Sequence, residues 1–287
     1  MTQPGGMMSG RTCMITGATS GIGRATAVML AQLGATLVLV CRDRTRGAET
    51  VAEIRATTGN QAVELMLADL ASQQSIRACA RDFLSTGRPL HVLVNNAGVV
   101  NLQRTLTADG IETVFAVNHL AYFLLTELLL DRLKSSAPAR VVNVASDAHR
   151  WGTMNFDDLG GERGYKVMRI YGQSKLANIL FTYELARRLE GTSVTVNCLH
   201  PGAVGTGLGK NNGAWARVLI GMLRPFFRTP EGGAATSIYL ASSAEVEGVT
   251  GKYFVDCKPK RSSRASYDEP TARRLWDVSA QMAGLAA

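Results

Sequence analysis

Arg11-Thr12-Cys13-Met14-Ile15-Thr16, then Gly17-Ala18-Thr19-Ser20-Gly21-Ile22-Gly23, then Arg24-Ala25-Thr26-Ala27-Val28-Met29-Leu30 reads as a buried strand, a glycine turn and a helix. Apolar residues lie next to one another in the first piece, whereas after Gly21 they recur at helical spacing. A glycine turn at that junction lets backbone N–H groups and a helix N-terminus approach a pyrophosphate with no Cβ in the way. The spacing Gly17, Gly21, Gly23 departs from G-x-G-x-x-G, and a plain strand-to-helix turn would also use glycine.

The same alternation continues downstream. Apolar runs near 35–41, 62–68, 90–95, 139–145, 193–199 and 252–256 are separated by helical patterns. This predicts βαβ units: a Rossmann-type, doubly wound α/β fold with a mainly parallel seven-stranded sheet and helices on both faces. Ligands of such sheets bind beyond the carboxyl ends of the strands. Thr16, Arg42, Asp69, Asn95, Ser146 and His200 all fall at or just after those ends. The chain of 287 residues is 46% hydrophobic and 19% charged, enough for one sizeable core. No Pro- or Ser-rich linker divides it, so one domain is expected over 10–287, preceded by a disordered segment 1–9.

Tyr171 and Lys175 are four positions apart, so on a helix the phenol and the ammonium share a face. A tyrosine titrates near about 10 and is a ready proton donor to a developing alkoxide at neutral pH. Acting as a base instead demands a lowered pKa, which a neighbouring ammonium can supply. A tyrosine and a lysine at this spacing on an ordinary amphipathic helix is the plain alternative.

Other segments add to this pair: Asp69-Leu70, Asn95-Asn96-Ala97-Gly98, Val117-Asn118-His119-Leu120, Val141-Val142-Asn143-Val144-Ala145-Ser146, Leu176-Ala177-Asn178-Ile179-Leu180-Phe181, His200-Pro201-Gly202 and Arg273-Arg274-Leu275-Trp276-Asp277. In order and register the chain resembles the short-chain dehydrogenase/reductases over nearly its whole length, most closely their retinol dehydrogenase-like branch. The resemblance implies a nicotinamide-dependent oxidoreductase with Asn118, Ser146, Tyr171 and Lys175 as its catalytic set. Ser146 would hold the substrate oxygen, Tyr171 would give or take its proton, Lys175 would bind the nicotinamide ribose and tune the phenol, and Asn118 would support a water in a proton relay. The implied cofactor site comprises Gly17, Thr19, Ser20, Gly21, Ile22, Gly23, Arg42, Asp69, Leu70, Asn95, Ala97, Gly98, Pro201, Gly202, Val204 and Thr206, besides Tyr171 and Lys175. Asp69 would hold the adenine edge, Asn95 and Gly98 would wall the pocket, and Thr206 would meet the nicotinamide amide. Homodimers or homotetramers built on the helices bearing Asn118 and Tyr171 are common in that family.

Val40-Cys41-Arg42 at the end of the second strand bears on the cofactor. An acidic residue there would accept hydrogen bonds from a ribose 2′-hydroxyl, whereas a guanidinium favours a 2′-phosphate, hence NADP(H). Asp43 is then expected to cap the next helix, near Thr45. Arg24 would add positive potential or lie solvated on its helix.

Substrate choice is assigned to two segments. Arg150-Trp151 through Phe156 offers aromatic side chains for a pocket wall, and 207–229 is apolar with interspersed arginines. The second reads as a lid over a hydrophobic aldehyde, ketone or secondary alcohol, as a peripheral membrane contact, or as a helix packed on the domain. Reduction of a C=C bond on the same fold and a non-catalytic NADP(H)-binding regulator are the other function classes.

The five cysteines are dispersed without C-x-x-C, which predicts free buried thiols, and the four histidines have no metal-ligand spacing, so no metal is expected. No secretory pattern opens the chain, and the apolar stretch Leu120–Leu130 is shorter than the about 20 residues of a spanning helix, so a cytoplasmic location is expected. The net charge of +8 would draw in an anionic cofactor. No nucleic-acid-binding motif accompanies it.

Overall fold

The computed structural model describes residues 6–202 and 228–285. Strands β1 (Thr12–Thr16), β2 (Thr36–Cys41), β3 (Val63–Leu67), β4 (Val92–Asn95), β5 (Ala139–Val144), β6 (Val194–His200), β7 (Lys252–Val255) and β8 (Lys258–Lys260) form one sheet in the order β3-β2-β1-β4-β5-β6-β7-β8. Pairing is parallel from β3 to β7 and antiparallel between β7 and β8. The chain winds outward from β1 in both directions, so the crevice at the β1/β4 switch point opens at the strands' carboxyl ends.

The sheet has eight strands, one more than expected. Lys258-Pro259-Lys260 is exposed, charged and contains proline, so it lacks the apolar signature of a strand. What makes it one is the turn before it: Asp256 and Cys257 both have positive φ, 52° and 59°, the combination that closes a two-residue hairpin.

Alternation within the strands divides the core between two faces. Met14, Val38 and Val40 pack with Ile76, Phe83, Leu124, Phe181 and Leu185. These come from helices α3 (Gln73–Ser85), α4 (Thr113–Ser135) and α5 (Val167–Arg188). Ile15, Leu37 and Leu39 pack on the other face with Leu30, Ile54 and Leu240. Their helices are α1 (Gly21–Gln32), α2 (Arg44–Thr58) and α6 (Pro230–Ser242). The last helix, α7 (Glu269–Met282), lies against α5. Its Trp276 ring meets Phe123 at 5.0 Å and Phe181 at 5.9 Å, and Arg188 sits 4.1 Å from the Trp276 ring centre.

Helix α4 is longer than the stretch Leu120–Leu130. Its 23 residues are long and apolar enough by composition to cross a membrane, but 78% of its most apolar window is buried inside the protein, as for a core helix. Within it Ala116–Leu120 forms one widened π turn, and Asn118 lies there. Residues 6–9 depart from the expected disordered start: Met8 is 4% exposed and its N–H donates to Leu33 O. All five cysteines are free thiols, and no metal-holding cluster occurs among the described residues.

Candidate active site

A cleft of about 420 Å³ lies at the carboxyl ends of β1, β2, β4 and β5. From the first turn it is lined by Gly17, Thr19, Ser20, Gly21, Ile22 and Gly23, from the end of β2 by Arg42, and after β3 by Asp69 and Leu70. Ala97 and Gly98 line it after β4, Ser146 after β5, Tyr171 and Lys175 from α5, and Pro201 and Gly202 after β6. Val204, Thr206 and 207–227 of the expected lid lie outside the described residues. Of that lid's end, Arg228 pairs with Asp256 and Thr229 caps α6 by accepting from Gly232 N at 3.2 Å.

Two glycines test whether a dinucleotide fits. Gly17 has φ +67°, and a Cβ there would lie 2.9 Å from Ala97 Cα; a Cβ on Gly23 would lie 2.4 Å from Gly17 O. The turn therefore closes only without side chains. Ser20, at the N-cap of α1, makes no side-chain cap bond, and no acidic residue stands in the first turn. An uncapped, positively polarised helix end bordering the cleft suits a pyrophosphate.

Asn96 and Thr16 hold this turn to the strand beyond. Asn96 Nδ2 donates to Thr16 O at 2.8 Å, and Thr16 Oγ1 accepts from Asn96 N and Ala97 N at 2.9 and 3.1 Å. Of the two neighbouring asparagines after β4, Asn96 and not Asn95 lines the cleft; the expectation for Asn95 as a pocket wall is corrected. Asn95 is 0% exposed, and its Nδ2 donates to Thr126 Oγ1 and Asn143 Oδ1 across the core. As the last residue of β4, Asn95 takes the inward side of the pleat and its neighbour the outward one.

Lys175 is nearly fully buried, and its Nζ donates to Val144 O at 2.9 Å. Desolvation lowers its pKa to about 7. The ammonium stands between two aromatic rings, 5.8 Å from the centre of Tyr171 and 5.9 Å from that of Tyr122. Burial raises the Tyr171 pKa, and the neighbouring Ser146 hydroxyl only partly opposes it. Desolvation dominates for both groups, and Lys175 is not among the causes that move the phenol; the raised pKa suits Tyr171 to proton donation. Ser146 Oγ also accepts from Ala148 N at 3.2 Å.

Asn118 is buried behind the cleft rather than in it. Its Oδ1 accepts from Val99 N at 2.7 Å, and its Nδ2 donates to Val99 O and Ser174 Oγ, both at 3.0 Å. The wide π turn presents this amide toward Gly98, where a Cβ would lie 3.4 Å from Asn118 Oδ1 and 3.6 Å from Lys175 Nζ.

Asp43 caps α2 as expected, accepting from Arg46 N at 3.0 Å, and the helix begins at Arg44. Arg46 also lines the cleft and went unnoticed in the sequence; its place one turn into α2, on the side of Arg42, was the available signal. Arg24 does not line the cleft and is paired with Glu53. Trp151 is 66% exposed, and Phe156 packs with Leu176 and Leu180 beneath Arg274, so neither forms the expected cleft wall.

The chain matches the short chain dehydrogenase family over residues 11–217. It is 50% identical to retinol dehydrogenase 14 of Mus musculus, an alignment covering 98% of this chain and 88% of that protein. A crystal structure of an uncharacterised protein from Mycobacterium Paratuberculosis is 35% identical with a TM-score of 0.79, covering 96% of this chain and 94% of the other. The Pseudomonas aeruginosa RhlG/NADP active-site complex is 26% identical with a TM-score of 0.70, covering 92% and 100%. The glycine turn and the Ser146, Tyr171 and Lys175 constellation thus have their explanation in descent: the chain belongs to the short-chain dehydrogenase family of nicotinamide-dependent oxidoreductases, in its retinol dehydrogenase-like branch.

Proposed function

We propose that the protein is an NADP(H)-dependent oxidoreductase interconverting a carbonyl and an alcohol on a hydrophobic aldehyde, ketone or secondary alcohol. The observation that carries this reading is that Ser146, Tyr171 and Lys175 line the same cleft as the glycine turn. A nicotinamide dinucleotide bound there supplies or accepts the hydride. Ser146 Oγ holds the substrate oxygen, and Tyr171, kept protonated by its burial, gives its proton to that oxygen as negative charge develops. Lys175 orients the cofactor ribose and, once ligand phosphates raise the local negative potential, carries a positive charge beside the phenol. In the oxidative direction that charge stabilises the phenolate needed to accept the proton.

Preference for the 2′-phosphate rests on Arg42 just after β2 and Arg46 in the first turn of α2, with Asp43 committed to the helix cap. The hydrophobic substrate class rests on the retinol dehydrogenases among the relatives and on the apolar composition of 207–229, proposed as a lid.

The test is oxidation of NADPH, and of NADH in parallel, against a panel of aldehydes, ketones and enones. Turnover of carbonyls with NADPH favoured at least tenfold is expected. Consumption of enones alone would move the chemistry to C=C reduction, and tight NADPH binding with a silent panel would leave a regulator.

A further inference from the structure

The peptide group between Ser146 and Asp147 is gripped from both sides by imidazoles. His149 Nδ1 lies 2.7 Å from Ser146 O, and Asp147 N donates to His200 Nδ1 at 3.1 Å. That carbonyl and that N–H belong to one planar unit. The tautomers follow from partners that act in one direction only. Ser263 N donates to His149 Nε2 at 3.0 Å, so Nε2 is bare and Nδ1 carries the hydrogen that Ser146 O accepts. His200 Nδ1 receives the Asp147 hydrogen, so its own proton sits on Nε2. The two rings must therefore be neutral and of opposite tautomer.

His149 is 0% exposed and packs edge-on against Tyr253, with ring centres 5.1 Å apart. Neither histidine lines the cleft. Each is anchored outside it: His149 to the segment after β8 through Ser263, His200 to the end of β6. The Ser146 hydroxyl itself is on the cleft side, where its influence lowers the Tyr171 pKa against burial.

We propose that His149 and His200 are positioning residues that clamp the Ser146–Asp147 peptide and so aim the Ser146 hydroxyl at Tyr171 and the reacting oxygen. The proposal rests on the catalytic reading of Ser146 given above. The Ser146 carbonyl also accepts from His149 N at 3.1 Å, so the peptide unit cannot rotate without breaking three hydrogen bonds; Ser146 Oγ is tied to it because it accepts from Ala148 N at 3.2 Å, one residue beyond the clamped unit.

The clamp is pH-sensitive by construction, because protonating His149 Nε2 or His200 Nδ1 removes an acceptor. Asp147 and Asp256 face His200 and favour its charged form, Arg228 and His149 oppose it, and burial outweighs them all. Around His149, burial and Arg150 favour the neutral ring against Asp147 and the Ser146 carbonyl. Both carboxylates are already engaged by guanidiniums, Asp147 by Arg150 and Asp256 by Arg228. The clamp therefore holds at neutral pH and opens on acidification.

Nitrogen-15 NMR of the four histidines in the full chain reads the tautomers directly. At pH 7.5, His149 is expected as the Nδ1–H form and His200 as the Nε2–H form; the reverse for either ring overturns the clamp. Hydrogen exchange of the peptide spanning 146–151 should accelerate at least tenfold in His200→Leu, and unchanged exchange would also overturn it. With a carbonyl substrate, His200→Leu should lower kcat at least tenfold while leaving the NADPH Kd within twofold. His200→Asn, whose amide oxygen replaces Nδ1 as acceptor, should keep kcat within threefold and weaken the acid-side fall of the kcat–pH profile. A His200→Leu variant with the parent kcat and pH profile refutes the positioning role, as does a parallel loss of NADPH affinity. Tyr171→Phe run alongside separates the two readings: if that variant stays active the catalytic reading fails, whereas an inactive Tyr171→Phe beside a fully active His200→Leu removes only the clamp.

Discussion

Replacing Lys175 by methionine should abolish turnover and yet make the cofactor-free protein more stable. The buried ammonium titrates at about 7 in the fold, against about 10.4 in the unfolded chain. Between those values the unfolded state binds more protons than the folded one, so stability rises with pH over this window and is lowered by a constant amount below it. At pH 7 the cost of holding Lys175 in place is about 4 kcal/mol as an upper figure. Methionine fills comparable space without the charge, but it leaves Val144 O without its donor, a loss of about 1–3 kcal/mol. The net expectation is a gain of about 1–3 kcal/mol, or a Tm higher by about 2–6 °C. The sharper assay is urea unfolding at pH 7 and pH 9. The stability gap between variant and parent should shrink by about 2 kcal/mol over that interval, as the parent sheds its penalty. A gap that stays constant with pH would show that Lys175 is not held in a desolvated state and would remove the physical basis assigned to it.

Tyr171→Phe should reduce kcat at least 1,000-fold, of the order general-acid loss produces, while NADPH binding followed by fluorescence stays within threefold. Arg42→Ala should weaken NADPH by about 10-fold and leave NADH unchanged, as removal of one charge-assisted phosphate contact requires; equal effects on both would contradict the 2′-phosphate assignment. His119, whose burial lowers its pKa to about 4, must stay neutral in the fold while the unfolded chain takes up a proton below about 6.5. Stability should fall by about 2 kcal/mol from this group between pH 7 and 5, and His119→Gln should flatten the urea-unfolding profile by that amount. Gly17→Ala, forced to positive φ and against Ala97, should cost about 2 kcal/mol in chemical unfolding and weaken NADPH binding at least tenfold.

What the sequence revealed and what it hid divide along the range of the interactions. Strands β1 to β7 fall within two residues of the apolar runs, because burial on both faces writes itself into consecutive residues. β8 left no such trace; its existence depends on two backbone angles at Asp256 and Cys257 that composition does not encode. The site shows the same boundary. Gly17, Gly23, Ser146, Tyr171 and Lys175 could be picked out in the sequence from the glycine turn and the ordered motifs of the family resemblance, and the structure brings them to one cleft. The choice between Asn95 and Asn96 could not be read there, since both follow the same apolar run and only the pleat decides which faces the cleft.

Electrostatics was the least legible layer. The spacing of Tyr171 and Lys175 implied a phenol lowered by its neighbour, but spacing contains nothing about solvent, and the packed cleft pushes the phenol up and the ammonium down. With the phenol raised and the ammonium lowered to about 7, neither group is charged in full at neutral pH, which limits the cost of burying both. A dinucleotide in the cleft that Lys175 and the glycine turn both line would bring negative charge that favours the protonated lysine, and the ammonium would then act on Tyr171 across the few ångströms that separate them. On this account cofactor binding takes up a proton: isothermal titration of NADPH at pH 7.5 in two buffers of different ionisation enthalpy should report a net uptake that Lys175→Met abolishes. Equal heats in both buffers would mean that the ammonium is already charged before the cofactor arrives.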